Sequence, residues 1–305
     1  MSYKINELQR QYWPPLLEEI PDGPEKLFYA GKVPDWRSKL LCVVGSRKFT
    51  NYGKETTESL IEGLRGYPVT IVSGLALGID SIAHRAAIKN GLPTIAIPGS
   101  GLSPSALHPQ THIKLAQDIT ETGGTLISEM EPDQKASLLM HDTTTKKVFF
   151  SFPKRNRLMA GMSNATLIIE ADKKSGTLIT ARLATDYNRE VLAVPGSIFN
   201  TTSYGPHMLI RLGATPIRNS EDILEALHLQ KIEDSDSSDN ERKYFDCSES
   251  EMKIIIILAE PLERDEIIRQ AQDKFKISIA ETQTLLSLLE LKGLIKETLG
   301  QIRLV

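Results

Sequence analysis

Residues 152–157 read Phe-Pro-Lys-Arg-Asn-Arg, three cations around one amide and led by an aromatic ring. Lys146, Lys147, Phe149 and Phe150 lie just upstream, so basic and aromatic side chains interleave over a short stretch. The 305-residue chain as a whole is slightly acidic, with a formal net charge of -3, so the run is a local departure. Such a mixture suits a polyanion that carries unpaired bases: cations neutralise phosphates, and rings or guanidinium planes accept bases by stacking. The plainer reading is a buried strand over 148–152 followed by a solvated basic loop.

A second set of residues sits where chain direction changes. Short apolar runs at 40–44, 69–72, 94–97, 125–127, 148–152, 167–169 and 191–194, with an edge run at 215–217, read as strands. Helical patterns at 53–64, 79–89, 109–121, 179–188 and 205–212 separate most of them. Strands of this length alternating with helices predict an α/β fold, a parallel sheet covered by helices on both faces. Five of the runs end in glycine: Gly45-Ser46-Arg47, Ser73-Gly74, Pro98-Gly99-Ser100-Gly101, Lys174-Ser175-Gly176-Thr177 and Pro195-Gly196-Ser197. In a parallel sheet these strand ends share one edge, so the loops converge on one crevice. Glycine backbones, hydroxyls and helix N-terminal N–H groups there favour phosphate oxygens.

The phosphate ligand is not a standard nucleotide cofactor. Gly74-x-x-x-Gly78 is not the dinucleotide fingerprint, and no Walker lysine motif occurs. No cofactor is therefore implied. His84 reads as a packing residue on an alanine-rich helix. His108 and His112 could share a helix face, but no carboxylate completes a metal-ligand motif, so no metal is expected. Glu129, Glu131, Glu170 and Asp172 stand at strand ends, where acid–base chemistry and plain ion pairing are both open to them.

Composition sets the outer limits. No apolar stretch reaches the roughly 20 residues that span a bilayer, and the N-terminus lacks an apolar signal core, so a cytoplasmic protein is expected. Cys42 in an apolar run and Cys247 in a polar stretch make a disulfide framework improbable. Residues 1–37 are rich in proline and read as an irregular lead-in, residues 38–228 as the α/β domain, and residues 229–248 as an acidic linker. Residues 249–305 hold three helical patterns and a hairpin, a small winged-helix-like domain. Its third helix opens with Glu281, Thr282, Gln283 and Thr284 and no arginine, a poor reader of base edges. That points to a protein-contact or accessory role.

Several motifs occur together and in order: Gly45-Ser46-Arg47, Ser73-Gly74-Leu75-Ala76-x-Gly78-Ile79-Asp80-x-x-Ala83-His84, Ile127-Ser128-Glu129, Phe152-Pro153-x-Arg155-Asn156-Arg157, Ser175-Gly176-Thr177 and Val194-Pro195-Gly196. In combination they resemble the DNA-processing protein A family (DprA, also called Smf) over about residues 38–220. The resemblance implies an extended Rossmann-like domain that binds single-stranded DNA without strong sequence preference. It further implies protection of incoming DNA in natural transformation, loading of the RecA recombinase, and homodimers, placed loosely near residues 207–228. Carried over by position, the phosphate-holding residues are Gly45, Ser46 and Arg47, supported by Arg155, Asn156, Arg157 and the Ser175, Gly176, Thr177 turn. Ser73 and Gly74 belong to the same edge, Phe152 is at least a strand-end core residue and the weaker candidate for base stacking, and Lys114 is a further cation. One turn departs from the family pattern: where Tyr-Pro with a later Asn is common, this chain has His108-Pro109 and His112.

Two rivals come from other classes. A phosphoribohydrolase-like enzyme would use a strand-end carboxylate on a nucleotide, but Pro195-Gly196-Ser197 is not the Pro-Gly-Gly-x-Gly-Thr-x-x-Glu run of those hydrolases. A regulator reading duplex DNA through its winged helix conflicts with the weak recognition helix.

Overall fold

The computed structural model describes residues 3–136, 140–141, 148–149, 151–229, 247–258, 260–298 and 300–304. Lys146, Lys147, Phe150 and nearly all of the acidic linker lie outside them. The chain forms two compact units, residues 1–232 and 233–305.

The first unit is built on a nine-stranded sheet. Its strands are β1 (Ile5–Glu7), β2 (Phe28–Gly31), β3 (Lys39–Val44), β4 (Val69–Ser73), β5 (Thr94–Ala96) and β6 (Thr125–Ser128). A separate two-stranded hairpin, β7 (Met140–His141) and β8 (Val148–Phe149), precedes β9 (Ala165–Ile168), β10 (Glu190–Ala193) and β11 (Thr215–Pro216). The sheet order is β1-β2-β6-β5-β4-β3-β9-β10-β11. The seven strands from β6 to β11 are parallel, while β2 and β1 extend the far edge antiparallel.

The helices are α1 (Asn51–Glu62), α2 (Ile79–Lys89), α3 (Ile113–Glu121), α4 (Ser151–Met162), α5 (Thr177–Asp186), α6 (Tyr204–Arg211) and α7 (Ser220–Ala226). Both faces of β3 are covered, which is why it reads as an unbroken apolar run. Leu41 and Val43 pack with Leu60 and Ile61 of α1, Ile82 of α2 and Ile223 of α7. Leu40, Cys42 and Val44 pack on the other face with Leu158 and Met159 of α4 and Ala181 of α5. From β3 the chain moves outward to β4, β5 and β6, whereas β9, β10 and β11 lie on its other side. The β3–β9 boundary is thus the switch point, where loops leave in opposite directions and open a crevice.

Two expectations need correction. The proline-rich segment is not an irregular lead-in, because β1 and β2 pair onto β6 and Leu8, Trp13, Leu17 and Ile20 join the second core. The strands are three and four residues long, too short for an alternating pattern to stand out between prolines. The 148–152 strand is also wrong. Val148–Phe149 belongs to the separate hairpin, and from Ser151 the chain is helical. Pro153 fits there because the N–H groups of a first helical turn have no intrahelical partner. Leu158, Met159 and Met162 then give the helix its apolar side.

The second unit contains α8 (Glu249–Ile257), β12 (Leu262–Glu263), α9 (Arg264–Phe275), α10 (Ile279–Leu291), β13 (Ile295–Thr298) and β14 (Gln301–Leu304). The strands pair antiparallel in the order β12-β14-β13, and Ile254, Ile267, Leu286, Leu289 and Ile302 form the core. Ser248 and Glu251 make a reciprocal capping box at α8.

Candidate nucleic-acid interface

The switch point holds a crevice of about 780 Å³. Its walls are the loops after β3, β9 and β10 and the first turns of α4 and α5. The β3 loop is fixed from within. Ser46 Oγ donates to Lys48 O at 2.8 Å and accepts the Lys48 N–H at 3.0 Å, so this hydroxyl holds the turn. Ser46 O accepts the Ile79 N–H at 3.2 Å, and Thr177 Oγ1 donates to Gly45 O at 3.2 Å. Gly78 makes the approach possible: its φ is +84°, and a Cβ there would stand 2.3 Å from Ser46 O. Only glycine meets both demands without strain.

The anchored turn leaves Arg47 exposed at the crevice mouth, with no carboxylate in ion-pairing distance among the described residues. Its Cζ lies 5.5 Å from the centroid of the half-buried Phe152 ring. The His108 ring approaches the same phenyl, with centroids 5.6 Å apart and planes inclined by 59°. Lys48 and Lys174 add exposed cations to the walls, and Ser175, Gly176 and Thr177 line the crevice at the start of α5. Thr177 N–H donates to Ser175 Oγ at 3.2 Å.

Arg155 is the floor. It is buried, its Nη1 donates to the carbonyls of Gly74 and Ile97, and its Nε donates to Asn156 Oδ1 at 3.0 Å. Gly74 permits this approach, because a Cβ would run into the guanidinium. Beneath it Asp80 accepts the Gly74 N–H at 3.1 Å. Burial pushes the Asp80 carboxyl upward, opposed by the Arg155 charge and by the N–H groups of Ala76 and Gly74.

Glu170 ties the walls together. The buried carboxylate accepts the Thr50 N–H at 3.0 Å, the Thr50 hydroxyl at 2.5 Å and the Thr202 hydroxyl at 3.0 Å. One side chain thus joins the loops that follow β3, β9 and β10.

Of the residues expected from sequence, Gly45, Ser46, Arg47, Phe152, Arg155, Asn156, Ser175, Gly176 and Thr177 line one crevice. Four others do not. Ser73 is buried and its hydroxyl donates to Val43 O at 2.7 Å. Gly74 lies in a smaller recess beside Arg47, Leu77 and His108. Lys114 is exposed on α3, its Nζ 3.2 Å from Asp118. Arg157 faces away, with Nη2 2.5 Å from Glu129 and Nη1 donating to the Asp22 carbonyl. Lys154 joins that pair at 3.4 Å from Glu129. The helical start of α4 explains the division, since consecutive residues of a helix point about 100° apart. Lys48, Lys174, Asn200, Thr201 and Thr202 line the crevice and were missed. The glycine turn after β10 signalled the last three, which lie a few residues beyond it.

The open α/β sheet thus carries a cation-rimmed crevice at its switch point, the place where sheets of this class take ligands. Residues 4–228 match the profile described as DNA recombination-mediator protein A, and the chain belongs to that family. Protein Smf of Escherichia coli is 41% identical over 217 residues, 71% of this chain and 54% of that protein, so the chain spans about half of that relative's length. The DNA processing protein A structure from Streptococcus pneumoniae superposes with a TM-score of 0.64 at 35% identity, covering 73% of this chain and 74% of that one. The Helicobacter pylori DNA processing protein A, solved for its single-stranded DNA binding mode, gives a TM-score of 0.61 at 28% identity over 74% of this chain and 96% of its own. Among the described residues no helix is long and apolar enough to cross a membrane.

Proposed function

We propose that the switch-point crevice binds single-stranded DNA without sequence preference. The observation that carries this reading is Arg47, an exposed cation with no carboxylate partner among the described residues, held over the Phe152 ring on a turn anchored from three sides. A guanidinium beside an aromatic ring offers one group to a phosphate and one to a base face. The crevice presents backbone, hydroxyl and cation contacts, which suit a sugar-phosphate backbone and do not discriminate bases. Residues 38–228 then form the DNA-binding domain. Following the family, the protein protects incoming DNA, loads RecA during natural transformation and works as a cytoplasmic homodimer through the region near residues 207–228. The winged-helix-like unit serves an accessory or protein-contact role.

The enzymatic alternative has less support. Glu129 is paired with Arg157, Glu170 is held by two threonines, and Asp80 is bound to a backbone N–H, so three buried carboxylates already have structural partners. Incubation with nucleoside monophosphates, with free base as the readout, checks this; base release would favour the hydrolase. For the DNA reading, Arg47→Ala is expected to weaken single-strand binding by roughly tenfold, the worth of one charged hydrogen bond, with folding unchanged.

A further inference from the structure

His108 occupies an unusual position beside the crevice. It is exposed, yet its ring rests on Phe152, the ring that Arg47 also covers. Arg47 and His108 therefore meet the same aromatic ring from two different loops. The loop bearing His108 is held from behind, because its backbone N–H donates to Ser100 Oγ at 3.0 Å. Ser100 is itself buried, and its carbonyl accepts the Ser128 hydroxyl at 2.8 Å. Among the described residues neither imidazole nitrogen of His108 is hydrogen-bonded. The side chain is thus fixed in place by its backbone and by Phe152, with both ring nitrogens available to a ligand.

The charged groups facing His108 are Arg47 from the β3–α1 loop and Arg155 from α4. The loop after β4 contributes only uncharged Gly74, Ala76 and Leu77 to the same recess, and the neighbour on its own segment is Pro109. Among the described residues no carboxylate lines this recess, and Asp80 lies behind it against Gly74 and Arg155. A bound phosphate would set an anion directly beside Arg47 and His108.

We propose that His108 is a DNA-contacting residue whose imidazolium joins Arg47 on the strand's phosphate, so that single-strand binding takes up a proton. This rests on the single-stranded DNA reading of the crevice. Burial, together with the charges of Arg47 and Arg155, holds the free His108 below the ordinary histidine range, which leaves it neutral near pH 7. A phosphate beside it reverses the electrostatic part of that effect, since an opposite charge within about 4–6 Å favours the protonated form by a unit or more. The affinity must then rise as pH falls.

The test is fluorescence anisotropy of a labelled oligo-dT strand at fixed salt from pH 8 to pH 5.5, with wild type, His108→Phe, His108→Gln and Arg47→Ala. Circular dichroism at each pH confirms folding. The expected result is wild-type binding that tightens by about tenfold across the range, the change that one pKa unit brings, with both His108 variants nearly flat. Equal pH dependence in wild type and both His108 variants, or a flat wild-type curve, overturns the inference. Failure of the wild type to bind the strand at any pH would instead remove the DNA reading itself. Binding that depends on Arg47 but not on His108 leaves that reading standing and rejects the role of His108.

Discussion

Arg47 and Phe152 form a cation–aromatic contact across the switch point, with the guanidinium carbon 5.5 Å from the ring centroid. The two residues come from opposite sides of the crevice, one from the turn after β3 and the other from the first turn of α4. Neither half is arbitrary. Gly78 lets the Arg47 turn approach α2, and Arg155 pins α4 to the carbonyls of Gly74 and Ile97.

The ring should contribute through stacking and not through charge. Phe152→Leu keeps apolar bulk but removes the π-face, and base–aromatic stacking is worth about 1–3 kcal/mol per base. The expected outcome is roughly five- to hundredfold weaker oligo-dT binding with an unchanged salt slope, read by anisotropy. Wild-type affinity in this variant would take Phe152 out of the interface.

Arg157 should behave in the opposite way. It is 2.5 Å from the buried Glu129 and also holds the Asp22 carbonyl of the N-terminal segment. Removing one member of a buried pair costs about 3–5 kcal/mol when the other charge is left unpaired; here the half-exposed Lys154, 3.4 Å from Glu129, offsets only part of that loss, and the Asp22 carbonyl loses its donor. Arg157→Ala should therefore lower the urea midpoint sharply. Arg157→Met with Glu129→Gln should recover much of the loss. Unchanged stability in Arg157→Ala would show that the pair is not formed.

His84 sets an acid limit on the fold. Burial, followed by the charges of neighbouring groups, lowers its pKa to about 3. In the unfolded chain it takes up a proton near the ordinary value of about 6.5. Its contribution to stability is therefore complete above that value and drains as pH falls toward the folded pKa. The loss between pH 7 and pH 5 is about 2 kcal/mol. Denaturation curves at both pH values should show it, and His84→Gln should remove that slope whatever it does to absolute stability. An equal slope in the variant would assign the acid lability elsewhere.

Glu170 should set the shape of the crevice without touching DNA. Glu170→Ala takes the acceptor from the half-buried Thr50 N–H and hydroxyl and leaves the Thr202 hydroxyl only Asn200 Oδ1, at a total of about 1–3 kcal/mol. Lower thermal stability and weaker single-strand binding should appear together. Gly53→Ala gives an independent check, because its Cβ would stand 2.4 Å from Glu170 Oε2. Loss of stability with full DNA affinity in both variants would confine Glu170 to the fold.

Much of this architecture is legible in the sequence because both faces of the central strands are covered. Runs such as Leu40 to Val44 are then continuous, and five of them lead into a glycine turn on the same sheet edge. The strand order is not legible, since nothing local to β3 or β9 says that they pair. The division of labour within 152–157 is also hidden. Four polar residues in succession look equivalent in a sequence, but a helix sends Arg155 and Arg157 to different neighbours, Gly74 on one side and Glu129 on the other. The place of Lys48 on the crevice wall depends on a loop path that no short motif records.

The most direct test of the central claim is a salt series of oligo-dT and duplex binding by wild type and Arg47→Ala. Among the described residues three exposed cations line the crevice, Arg47, Lys48 and Lys174, so the log–log slope for single strands should be about -2. The account predicts preference for the single strand, a slope reduced by about 0.7 in Arg47→Ala, and roughly tenfold weaker binding. A folded Arg47→Ala protein that binds single strands with wild-type affinity and slope would contradict it.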